Sequence, residues 1–181
     1  MASLVSMLDP QLANRLAAFA TLVTDAVEAA SDGLSASAVA ALQTVRQTGP
    51  TAIQDIAHAV GLSHSATVRL VDRLEKDWLV RRLRRKGREV RVEATARGKR
   101  RATQILERRQ VAVEAVLAGL APEAREALAA AVDTMLATAT AAEPTQAARI
   151  CRSCDRGGCR AADCPVAAAE RAAAPQGATA G

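Results

Sequence analysis

Phe19 and Trp78 are the only aromatic residues among 181, whereas alanine fills 44 positions, about a quarter of the chain. Sandwiches and barrels draw their buried area from aromatic and β-branched side chains, and alanine adds little. An all-β fold is therefore excluded. Alanine, leucine, glutamate and arginine at this density favour helices instead. The expected core is thin, helix against helix, and leans on a partner subunit or a metal for stability.

The apolar spacing agrees. Leu12, Leu16, Phe19, Val23 and Val27 recur at steps of three or four, and Ser31-Asp32-Gly33 ends that helix. Ser35 is placed to cap a second helix carrying Val39, Leu42 and Val45, closed by Gly49-Pro50. Thr51 is expected to cap a short third helix, and Ser63 a fourth that carries Val68, Val71 and Leu74. Two short strands, Trp78–Leu83 and Glu89–Glu93, then flank the basic turn Arg84-Arg85-Lys86-Gly87-Arg88. Trp78 is expected to pack at the junction between helix and hairpin. Helical spacing resumes near Thr95 and restarts at Pro122.

Charge is unevenly placed. Residues 79–109 hold 13 Lys or Arg against three Glu, a net +10, so the formal total of +5 leaves −5 for the remainder. A basic island on a mildly acidic body is the electrostatic footprint of a nucleic-acid binder. No apolar run is long enough to span a bilayer and no signal peptide is evident, so the expected location is cytoplasmic, with no membrane partner.

The segment from Ile53 to Ser63, followed by Ala66-Thr67-Val68, has helix-turn-helix chemistry. Ala57 is small enough for two helices to cross closely, and Gly61 permits a left-handed turn. Polar residues at the start of the next helix then face the edges of bases in a major groove. With Val71–Arg82, the wing-like Gly87–Val92 and Thr95-Ala96-Arg97-Gly98, residues 9–140 resemble the MarR family of bacterial transcription regulators. The resemblance implies a mainly α, winged helix-turn-helix fold with a two-stranded basic wing and long N- and C-terminal dimerisation helices.

It also implies an organisation: a dimerisation helix in 1–34, a DNA-binding domain in 35–94 and dimerisation helices in 95–142. Beyond these lie a cysteine-cluster metal-binding segment at 149–166 and a disordered tail at 167–181. Ser63, His64, Ser65, Thr67 and Arg69 become candidate contacts to bases or phosphates, and Arg73 a phosphate contact or internal partner. Arg85, Lys86 and Arg88 become wing residues, with an arginine near the tip suited to a narrow minor groove. The family's wings commonly carry aspartate beside paired arginines; here Arg84, Arg85 and Lys86 stand instead, which implies a stronger non-specific phosphate contribution. Asp72 is expected to serve an internal ion pair. A small-molecule effector would occupy a pocket lined mostly by alanine, leucine and valine.

All four cysteines, Cys151, Cys154, Cys159 and Cys164, fall within fourteen residues. Four thiols so close point to metal binding in a reducing compartment. The spacing matches a small zinc knuckle with cysteine in the histidine's place, while Cys164-Pro165 resembles the close of many iron–sulfur loops. Zn2+, an iron–sulfur cluster and a reversible thiol switch all stay open. Most of the family lacks this cluster, which is expected at the dimer-forming end.

The function these features favour is a sequence-specific regulator, a homodimer on an inverted repeat of double-stranded DNA, modulated through the cysteine site. A non-specific architectural DNA-binding protein and a redox carrier are the alternatives. No catalytic set accompanies the cysteines, so the chain is not expected to be an enzyme.

Overall fold

The computed structural model describes residues 9–83, 90–155 and 164–173. Helix α1 (Pro10–Ala29) is followed by α2 (Ala36–Thr48), strand β1 (Thr51–Ala52), α3 (Ile53–Val60) and α4 (His64–Lys76). Strands β2 (Val80–Arg82) and β3 (Arg91–Ala94) lead into α5 (Ala96–Leu117) and α6 (Pro122–Ala142). A C-terminal extension adds a 3-10 turn (Pro144–Gln146), α7 (Ala147–Ile150), a second 3-10 turn (Cys151–Ser153) and α8 (Pro165–Ala173). The mainly α, winged helix-turn-helix expectation holds. Of the tail expected to be disordered, 167–173 belong to α8, which packs along α6 with Val166 buried, and 174–181 lie outside the described residues.

Local chemistry sets the helix boundaries. Ser35 Oγ accepts from the Ala38 N–H at 3.3 Å, and Ser63 Oγ from the Ala66 N–H at the same distance, so both serine caps stand where expected. Thr51 is not a cap. It lies one residue too early, buried in β1, and its hydroxyl donates to the Gly49 carbonyl at 2.8 Å while Ala52 occupies the cap position of α3. This two-residue strand completes a sheet of order β1-β3-β2, antiparallel throughout, with Thr51 opposite Val92 and Val80 opposite Ala94.

Helix α2 is the central pillar. Seven of its thirteen residues are buried, and Leu42 and Val45 meet Ile56, Val71, Leu74 and Val92. Its one buried amide is satisfied: Gln43 Nε2 donates to the Ala102 carbonyl of α5 at 2.7 Å, and Arg46 Nε donates to Gln43 Oε1 at 3.0 Å. From the same stretch of α5, Arg101 at 2.9 Å and Arg108 at 3.3 Å pair with Asp32, which holds the turn after α1. By contrast α1 buries no residue at all. Leu12, Leu16 and Leu22 are exposed, as are Val132 and Met135 on α6.

The start of α5 is packed as closely as backbones allow. Thr95 caps it, accepting from the Gly98 N–H at 3.0 Å and donating to the Trp78 carbonyl at 2.7 Å. A Cβ on Gly98 would stand 1.8 Å from the Leu79 carbonyl oxygen, so only glycine fits. Trp78 itself is 73% exposed, and the expectation that it packs at the junction is overturned. It occupies the left-handed turn after α4 at φ 58°, which directs the indole away from the core. Gly98→Ala is expected to lower unfolding free energy by about 2–4 kcal/mol in urea titrations, because strand and helix backbones must separate. A change within about 0.5 kcal/mol, the range of neutral surface substitutions, would show that the contact relaxes freely.

Candidate nucleic-acid interface

Helices α3 and α4 form the helix-turn-helix. Gly61 takes φ 70° and ψ 35°, and its N–H donates to the Ala57 carbonyl at 2.9 Å, which closes α3. Leu62 follows as a half-buried link before the Ser63 cap. Ala57 is buried where the two helices meet, as its size predicts.

On α4, two faces separate cleanly. Thr67, Leu70, Val71 and Leu74 are buried, whereas Ser63, His64, Ser65, Arg69 and Arg73 are exposed. Five of the six helix-turn-helix candidates therefore share an open surface. Thr67 does not. It has no exposed area, and its hydroxyl donates to the Ser63 carbonyl at 2.9 Å, so it supports the first turn of α4 from beneath. His58 is solvent-exposed on α3. The wing candidates Arg85, Lys86 and Arg88 lie outside the described residues, between β2 and β3.

Strand β2, at the root of the wing, is joined to α4 by an arginine that the sequence alone does not single out. Arg82 on β2 donates to Asp72 Oδ1 at 2.6 Å and also pairs with Glu75, while its own backbone N–H donates to Glu75 Oε1 at 2.9 Å. Asp72 is thus the internal ion-pair partner expected. Partial burial strips water from the Arg82 guanidinium, but the hydrogen bonds and charges of Asp72 and Glu75 outweigh that and raise its pKa above the ordinary arginine value. Further along the hairpin, Arg81 pairs with Glu93 across the strands.

The cysteine segment meets the DNA-binding body rather than sitting only at the dimer-forming end. Gln47 Nε2 of α2 donates to the Cys154 carbonyl at 2.9 Å, and Arg46 stands 3.5 Å from Asp155. Arg109 of α5 donates to the Ser153 carbonyl. Buried Ala147 seats α7 against α3, while α8 returns along α6. Cys151, Cys154 and Cys164 are half-buried, and Cys159 lies outside the described residues. Among the described residues, no three His, Cys, Asp or Glu side chains converge as a metal-holding group.

The same segment walls a cavity of about 270 Å³ between α1, α2 and α5. Val23, Val39 and Ile105 line it together with Glu28, Gln43 and Arg109. It is more polar than the apolar lining expected, because α5 and the cysteine segment contribute arginines and Ser153.

Residues 34–87 match the model of the MarR family, which spans the helix-turn-helix and reaches into the wing. This segment is a MarR-family domain. Solved structures extend the likeness of fold beyond this segment, to 72% of the chain. A MarR family protein from Bacillus stearothermophilus superposes with a TM-score of 0.64 at 23% identity, covering 72% of this chain and 94% of its own. MepR, a transcription regulator of the Staphylococcus aureus multidrug efflux pump MepA, gives 0.61 at 16% identity over 72% and 98%. CouR from Rhodococcus jostii RHA1, bound to p-coumaroyl-CoA, gives 0.54 at 23% identity over 68% and 90%. A search of curated proteins returned no match. Among the described residues, no helix is long and apolar enough to cross a membrane.

The Arg82 bridge ties β2 to α4. A double-mutant cycle of Arg82→Met and Glu75→Gln, read by urea unfolding, should give a coupling of about 0.5–1.5 kcal/mol. Coupling below about 0.2 kcal/mol would mark it as an ordinary surface pair.

Proposed function

We propose that the protein is a sequence-specific, DNA-binding transcription regulator that acts as a homodimer on an inverted repeat. The observation that carries this reading is the open face of α4, where Ser63, His64, Ser65, Arg69 and Arg73 are exposed on the helix that packs against β2. A major groove admits such a helix, and arginine is the commonest side chain to read guanine there. The exposed apolar residues of α1 and α6 supply the dimer surface, since apolar side chains left in water gain when a second copy covers them. Two recognition helices then fall in half-sites about one helical turn apart.

Selection from random duplexes followed by footprinting should return an inverted repeat, with an affinity that falls steeply as salt rises. Arg69→Ala should change the preferred sequence, whereas Thr67→Val should lower stability and leave the preference intact. Equal affinity for all duplexes would replace this reading with that of an architectural DNA-binding protein.

We further infer that Cys151, Cys154, Cys159 and Cys164 form a metal or redox site that modulates DNA binding. Their spacing supports it, as does the docking of Cys151–Asp155 on α2, the pillar behind the helix-turn-helix. The cavity between α1, α2 and α5 is where a small-molecule effector would bind, with Arg109 and Glu28 as its polar groups. Zn2+ would make a closed structural tie on four thiolates, and an iron–sulfur cluster would respond to oxidants. Protein purified without oxygen should contain stoichiometric zinc or show the visible absorption of an iron–sulfur cluster. Its DNA affinity should fall when the metal is removed. Metal-free, colourless protein with reduced thiols and full DNA affinity would contradict the modulation.

A further inference from the structure

The extension places one more cation beside the recognition helix. Arg149 lies on α7, which packs against α3, and its guanidinium rests over the Gly61 turn. A Cβ on Gly61 would stand 3.1 Å from Arg149 Nε and 3.3 Å from Cζ and Nη2, so glycine provides the seat as well as the turn. The arginine is solvent-exposed. Among the described residues, its guanidinium has no carboxylate partner, while its backbone carbonyl accepts from Arg152 at 2.6 Å and from the Cys151 N–H. An open cleft of about 450 Å³ lies between α7 and the start of α4, bordered by Arg149, Gln146, His58, Ser63 and His64. The acid on that rim, Glu143, already accepts hydrogen bonds from Gln146 and, at 3.3 Å, Thr145.

We propose that Arg149 is a DNA-phosphate contact, delivered to the edge of the helix-turn-helix by a segment outside the MarR domain. The proposal rests on the DNA-binding reading above. Ser63 and His64 open the face of α4 that would meet the groove, and the phosphates flanking that groove lie beside its edge. A guanidinium offers a planar fork of donors that matches two phosphate oxygens, and it is less strongly hydrated than an ammonium. Arg149 reaches this place because the extension is anchored on both sides, by Ala147 within the body and by Gln47 on the Cys154 carbonyl. Cys151 stands two residues after Arg149, so a ligand that orders that thiol would also act on the position of this contact.

Phosphate contacts carry no sequence information, so a labelled mixed-sequence duplex of about 30 base pairs is a sufficient probe. Fluorescence anisotropy with the full-length protein over a range of salt concentrations would compare Arg149→Gln and Arg149→Lys with the parent. In the glutamine variant, affinity should drop several-fold and the slope of log affinity against log salt should shrink by about one. The lysine variant should retain the parental slope. A glutamine variant with the parental slope, whether or not its unfolding midpoint moves, would overturn the proposal and leave Arg149 a packing residue. If the parent itself fails to bind the duplex, the DNA-binding reading fails first.

Discussion

The bridge from Arg82 to Asp72 and Glu75 holds the DNA-facing surface together. The helix-turn-helix and the hairpin are separate pieces of local structure, and a shared surface requires a fixed angle between them. Arg82 supplies it twice over, through its guanidinium to both carboxylates and through its backbone N–H to Glu75. Asp72 and Glu75 lie about two turns or more along α4 from the exposed Ser63–Ser65 turn, so the bridge leaves that turn open. Gly98 then lets α5 close against the strand that carries Arg82. Recognition helix, wing root and α5 thereby become one body.

The scarcity of aromatic residues has a structural counterpart. Neither aromatic residue is buried: Phe19 sits on the open face of α1 and Trp78 projects from a left-handed turn. The core is instead built from aliphatic side chains around α2 and from alanine contacts that bring helices close. Among the described residues its one buried amide is Gln43, and it is paired on both sides, which matters because a buried amide left without a partner costs about 1–3 kcal/mol. The apolar surface that a larger core would have hidden remains on α1 and α6, where a second copy of the chain can cover it.

Much of this was legible in local chemistry. Caps and stops at Ser35, Gly49, Gly61, Ser63 and Pro122 mark helix boundaries whatever the tertiary context, and each sits where its backbone geometry requires. The errors arose where tertiary contacts override local preference. Thr51 has a cap's side chain but spends its hydroxyl on Gly49 and its backbone on β3. Thr67 is polar at a polar-looking position, yet the helical turn swings it beneath the face. Trp78 is expected at the junction between helix and hairpin, but the left-handed backbone after α4 leaves it exposed. The docking of the extension had no sequence signal, since Gln47 and Cys154 are 107 residues apart. For Gly98, the Thr-x-x-Gly run is a sign that a capped helix start meets another backbone.

The account's central claim is that the DNA-facing surface comprises the helix-turn-helix together with the extension docked on it. Amide hydrogen exchange of the full chain, with and without bound duplex, tests this most directly, because it reports both elements in one experiment. Slowed exchange on binding in the first turns of α4 and also across 144–153 is the expected result. Slowed exchange confined to α4 and the hairpin, with 144–153 unaffected, would contradict it.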